Sequence, residues 1–264
     1  MGAIFDTHAH YTDSAFDRDR DYLLGDYLPA HNIKRIMLAG CNMTESRGNI
    51  ALAKKYDYIC AAAGFHPEYV YERELTEEDY RQLCSLLETE DFRAVGEIGL
   101  DYHYEGYNKE WQAAAFRRQL EIAKDFDLPV IIHARDATKD YLDILTEYKP
   151  RGVVHCFGGS RDTAEYIVEK LGMYVGFTGA ITFSNAKKVL PAVEYVPDDR
   201  IVFETDAPYM APDAYKEKKK PRPRCISSMI DATAQRAAEI RGCDTAELID
   251  RACENGEILF GLKD

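Results

Sequence analysis

Basic residues are in short supply: 33 lysines and arginines stand against 46 aspartates and glutamates, a formal charge of -13. That deficit opposes general attraction to DNA, RNA or an anionic membrane at long range and leaves only local positive sites open. No stretch approaches the roughly 18 to 20 uninterrupted apolar residues of a membrane span, and the N-terminus has neither the basic head nor the apolar body of a secretory signal. A soluble, unexported, cytoplasmic protein is expected. Seven cysteines, Cys41, Cys60, Cys84, Cys156, Cys225, Cys243 and Cys253, are odd in number and nowhere form C-x-x-C. This pattern argues against a disulfide framework or a zinc knuckle, and the thiols read as reduced, small buried fillers. There is no Gly-rich phosphate fingerprint after the first apolar run, no internal repeat and no long polar linker, so residues 1–264 are expected to form one domain.

What is present is rhythm. Eight short apolar runs, "AIFD", "KRIMLAG", "YICAAAGFH", "RAVGEIGLDY", "LPVIIHARD", "RGVVHCFGG", "MYVGFTG" and "RIVFETD", alternate with amphipathic stretches. Continuous rather than alternating apolar character suits parallel strands covered on both faces. Residues 108–127 carry Trp111, Ala115, Phe116, Leu120 and Ala123 on one helical face, and "TAEYIVEKLG" reads as a helix stopped by Gly172. Eight such alternations in 264 residues match a single (β/α)8 TIM barrel, with an open doubly wound sheet as the competing architecture.

In a barrel of this kind chemistry sits at the carboxyl ends of the strands, which makes a polar group closing an apolar run informative. His8 and His10 close the first run, His66 the third, His133 the fifth, His155 the sixth and Asp206 the eighth, while Glu97 interrupts the fourth with Asp101 after it. Side chains at i and i+2 of a strand share a side, so His8 and His10 can converge on one divalent cation. A lone histidine ending a strand is ordinarily a hydrogen-bonded structural residue, but five of the seven histidines fall at run ends beside carboxylates. His31 is expected at the surface, and His103 has neither the run nor the position. Glu97 lies in an apolar context where an ionised carboxylate needs coordination or pairing. Glu204 and Asp206 are expected on the same side of the last strand, and Arg135 is the exceptional cation near a strand end.

"DTHAH", "GFHPE", "GEIGLDY", "PVIIHARDA", "VVHCFGG" and "FETDAPYMAP", in this order, resemble the TatD family of metal-dependent hydrolases, a branch of the amidohydrolase-like TIM barrels. The resemblance covers nearly the whole chain. It implies a two-metal site at the top of the barrel, with His8, His10, Glu97 and Asp206 holding one ion, Glu97, His133 and His155 the second, and Glu97 bridging. Asp206 would also serve as general base to an attacking water. Imidazole-rich ligation favours zinc or manganese over magnesium, without excluding it. His66, Glu204, Arg135 and Asp101 would take substrate or supporting roles.

The resemblance points to a nuclease acting on nucleic-acid ends, with a hydrolase of an ester or amide such as aminoacyl-tRNA as the alternative; a barrel that has lost catalysis and only binds is the outside reading. No membrane and no obligate protein partner are implied. The chain departs from relatives at 225–227, where Cys225, Ile226 and Ser227 replace the expected Asn-Glu-Pro. Just upstream, "KEKKKPRPR" (216–224) packs six cations into nine residues. Such runs are ordinarily solvated surface; the alternative is an arm contacting phosphates, which would make activity fall steeply with salt.

Overall fold

The apolar runs form eight parallel strands: β1 (Ile4–Ala9), β2 (Ile33–Leu38), β3 (Ile59–Ala63), β4 (Ala94–Asp101), β5 (Val130–Arg135), β6 (Gly152–Val154), β7 (Tyr174–Phe177) and β8 (Ile201–Phe203). The computed structural model describes residues 2–71, 73–218 and 220–262. Neighbouring strands pair in chain order without the reversal a doubly wound sheet requires. β8 returns to β1 through a parallel bridge between Ala9 and Ala207, with the Asp206 amide donating to His8 O at 2.9 Å and the His10 amide to Ala207 O at 2.8 Å. The architecture is a (β/α)8 TIM barrel.

Side chains capable of accepting backbone N–H groups set the helix starts. Asn42 caps Met43–Lys55, Asn108 caps Lys109–Asp125 and Asp244 caps Thr245–Leu259, while Thr76 and Asp79 form a reciprocal capping box on Glu77–Thr89. The Lys109–Asp125 helix buries Ala115, Phe116, Leu120 and Ala123, as its sequence period requires. Gly172, at φ +68°, closes the turn after Tyr166–Lys170. The connection after β1 is different: it runs through short turns to Pro29–His31, and His31 lies exposed against Tyr27.

One residue or more from every strand joins a single buried cluster, including Phe5, Met37, Ala62, Ala94, Ile131, Val153, Tyr174 and Val202. Phe260, at the end of the last helix, closes this cluster with its ring 5.8 Å from that of Phe5. With the lower end plugged, the carboxyl ends of the strands meet a cavity at the opposite rim.

Candidate metal centre

The strand-end residues meet at that rim around Glu97, which is buried on β4 and carries two oxygens facing different groups. Its Oε2 lies 3.2 Å from His8 Nε2 and 3.9 Å from His10 Nε2. Its Oε1 lies 2.6 Å from His155 Nε2, 2.7 Å from His133 Nδ1 and 3.5 Å from His66 Nε2. Asp206 Oδ1 joins the first group, 3.4 Å from His10 Nε2 and 3.7 Å from His8 Nε2. His66 stands as near to Glu97 as a ligand would, closer to the centre than its sequence position implied.

Supporting contacts orient these rings. His133 turns its other nitrogen to Asp101 Oδ2 at 3.0 Å, and Asp101 is itself buried. Glu204 has no exposed surface; it accepts the Cys156 amide, sits 3.6 Å from His155 Nδ1, and lies close enough to His8 and His155 to share an ion with them. Gly176 makes room for it, because a Cβ there would fall 2.5 Å from Glu204 Oε2. Gly99, at φ +146°, lets β4 pass the His133 carbonyl where any side chain would collide. Asp6, buried one strand-face away, accepts from Thr205 N at 3.0 Å and Thr205 Oγ1 at 2.6 Å, tying β1 to the segment that carries Asp206.

The donor set fits divalent cations. Imidazole nitrogens approach one another at 3.1 Å (His8 and His10) and 3.3 Å (His133 and His155), contacts in which two lone pairs converge unless a proton or a cation lies between them. His8 Nδ1 and His155 Nδ1 are buried without a hydrogen-bond partner. Burial pushes the Glu97 carboxyl up, yet the His155, His66 and His8 charges outweigh it and hold the group well below the ordinary carboxylate range. Burial pulls His133 down, and its bonds to Asp101 and Glu97 reverse this and leave it raised. Asp206 is likewise lowered, burial being overcome by His10 and His8. An anion ringed by imidazoles is an arrangement that a cation can enter by displacing protons. The groups close enough to share an ion include His8, His10 and Glu97 on one side and His66, Glu97 and His133 on the other.

A cavity of about 1000 Å³ opens above this cluster, lined among others by Arg135, Lys188, Tyr69, Tyr104 and Tyr209. Seven non-glycine residues among those described adopt positive φ, and four of them, Asp136, Cys156, Asp206 and Met210, line this cavity. Left-handed backbone is costly outside glycine, and its concentration here marks a constrained functional rim. It also corrects one expectation. β8 stops at Phe203, so Glu204 and Asp206 do not share a strand side; φ +57° at Asp206 swings its carboxylate toward His10 while Glu204 faces His155.

A family model described as TatD related DNase matches residues 5–261. The chain belongs to the TatD family. It is a metal-dependent hydrolase of that family, 35% identical over 98% of its length to the Bacillus subtilis metal-dependent hydrolase YabD, 99% of which is covered. It is 32% identical to an Erwinia tasmaniensis protein named 3'-5' ssDNA/RNA exonuclease TatD, over 98% of this chain and 100% of that one. The crystal structure of the Escherichia coli TatD homolog YJJV superposes with a TM-score of 0.90 at 28% identity, covering 98% of each chain.

The segment 216–224 divides in two: Lys216, Lys218 and Lys220 are exposed, as a solvated run would be, while its two arginines are tied to the fold. Arg224 is paired with Asp19 at 2.6 Å and lies over the Phe16 ring, Arg222 is paired with Asp213 at 2.7 Å and lies over Phe183, and Lys220 meets Glu217. Lys219 lies outside the described residues. The cysteines are not all buried fillers: Cys243 is exposed. Cys41 and Cys156 line the cavity, with Cys41 Sγ 3.9 Å from both His10 Nδ1 and Glu97 Oε2. At the departure from the family pattern, Ser227 takes a structural place, its hydroxyl 2.9 Å from the Tyr11 hydroxyl and its amide donating to the same oxygen.

Proposed function

We propose that this TatD-family hydrolase is a nuclease that cleaves phosphodiester bonds at the ends of single-stranded nucleic acid, with two divalent cations sharing Glu97. The observation that carries the reading is the split of Glu97: one oxygen faces His8 and His10, the other His133 and His155. His8, His10, Glu97 and Asp206 would hold one cation and Glu97, His133 and His155 the other. When bound, the pair would supply Lewis acidity toward a phosphoryl oxygen and lower the pKa of water from about 15.7 toward 7. Relatives named as 3'-5' ssDNA/RNA exonucleases support the substrate class.

The remaining steps belong to the chain. Asp206, ionised and 14% exposed to the cavity through its side chain, accepts the proton of the attacking water and returns it to the leaving oxygen. Asp101 keeps His133 turned toward Glu97. Arg135 and Lys188 are the lysine and arginine side chains on the cavity wall among the described residues, placed to meet a phosphate. Asp206→Asn removes most turnover while leaving metal content largely intact. The test of the whole reading is a side-by-side assay of metal-loaded protein on single-stranded DNA, a simple phosphodiester and an aminoacyl ester. Cleavage of the ester alone would replace a nuclease with an esterase.

A further inference from the structure

Among the described residues six large hydrophobic side chains are exposed, and three of them, Tyr69, Tyr104 and Tyr209, line the one cavity that holds the candidate metal centre. They are 46%, 48% and 54% exposed. Each is tethered at its hydroxyl to a neighbouring segment: Tyr209 donates to Asp13 at 3.3 Å, Tyr69 donates to Glu45 at 3.4 Å, and Tyr104 accepts from Arg135 at 3.3 Å. Tyr209, Tyr69 and Tyr104 follow β8, β3 and β4, and their partners Asp13, Glu45 and Arg135 lie after β1, in the helix after β2 and at the end of β5, so the three rings are spread along an arc of the mouth. Tethering the polar tip while leaving about half of the residue in water fixes an aromatic surface at the rim.

Charge at this rim narrows what the rings can receive. Carboxylates of Asp13 and Glu45 stand at the tips of Tyr209 and Tyr69, and Glu68 and Asp136 add to the lining, which disfavours phosphates there, whereas at Tyr104 the Arg135 guanidinium lies 5.1 Å from the ring centroid and can meet one. Tyr69 and Tyr209 therefore face the uncharged part of a polyanion, and Tyr104 stands beside the cation that would hold its phosphate. Bases of a duplex bury their faces against one another, whereas unpaired bases offer them, and base-on-aromatic stacking holds a strand regardless of sequence. We infer that Tyr69, Tyr104 and Tyr209 are stacking platforms for the bases of a single-stranded end whose phosphate lies over Glu97 and Asp206, an inference that rests on the nuclease reading.

The experiment compares kcat/KM of the metal-loaded enzyme on three substrates: a short single-stranded oligodeoxynucleotide, the same oligonucleotide with abasic terminal positions, and methyl p-nitrophenyl phosphate. Each tyrosine is changed to Leu, which removes the π face, and to Phe, which keeps it. The ratio of oligonucleotide to small-diester turnover should fall about tenfold in each Leu variant and return in the Phe variant, with wild type preferring normal over abasic ends by a similar factor. Leu variants that keep the wild-type ratio, or a wild type indifferent to abasic ends, overturn the stacking inference and leave the nuclease standing. A wild type that hydrolyses no phosphodiester with any of zinc, manganese or magnesium overturns both.

Discussion

Glu97 shows most plainly how a residue that is expensive to bury becomes useful. With 3% of its surface exposed it must be neutralised by what surrounds it, and imidazoles on both sides do this. Glu97→Gln keeps the shape but removes the negative charge and leaves one neutral carbonyl oxygen in place of two carboxylate oxygens; metal content measured by plasma mass spectrometry should drop by at least one equivalent, and hydrolysis should fall about a hundredfold or more. Asp101 acts at one remove. Because it holds His133 by the nitrogen turned away from Glu97, Asp101→Asn should weaken metal binding about 10- to 100-fold in a chelator competition, with little change in folding. Retained affinity in that variant would show that packing alone orients the ring.

Helices and loops carry a second class of interactions, remote from the chemistry. On Glu77–Thr89 the Asp79 carboxylate accepts from the Thr76 amide at 2.7 Å and from Arg73 at 2.7 and 2.8 Å. The Arg73 bonds hold its pKa well below the ordinary range, against a smaller opposing effect of burial. A carboxylate whose pKa is lower folded than unfolded stabilises while ionised, so its contribution is complete above the unfolded value of about 3.9 and fades as pH falls through the lower folded value. Asp79→Asn should cost about 1 kcal/mol at pH 7, seen as a fall of about 2 °C in Tm. The gap to wild type should narrow as the pH is taken below 3.9, and a gap constant down to strong acid would place the effect in packing instead. The segment after β8 makes the same point in reverse: arginines that look like a free basic patch are committed to Asp19 and Asp213.

Taken together, the barrel spends folding energy to collect histidines and carboxylates on one rim, and cations should return it. Zinc or manganese at about 100 times its dissociation constant should stabilise the fold by about 2.7 kcal/mol and raise Tm by roughly 5 to 10 °C, reversed by EDTA. No shift with any divalent ion would be hard to reconcile with the clustered donors. The chain's charge of -13 and the two cavity cations Arg135 and Lys188 also set its response to salt. Two phosphate contacts give a log–log slope of about -1.4 for a single strand, far shallower than a basic arm of six cations would produce.

Much of this was legible beforehand, for a geometric reason. Parallel strands closed into a barrel send all their carboxyl ends to one rim, so the rule that a polar residue closing an apolar run faces the cavity picked out His8, His10, His66, His133, His155 and Asp206 without knowledge of any contact, and Glu97 stood out as a carboxylate inside an apolar run. Periodicity alone separated strands from helices because burial on two faces and burial on one leave different marks in a chain. The partner of each side chain was another matter. That Glu204 faces His155, that Asp206 turns at positive φ, that Arg224 reaches back 205 positions to Asp19, and that three tyrosines stand exposed on one mouth all depend on which loops become neighbours. Such pairings are set by the closure of the barrel and by the excluded volume of its packed side chains, and distance along the chain carries no trace of them.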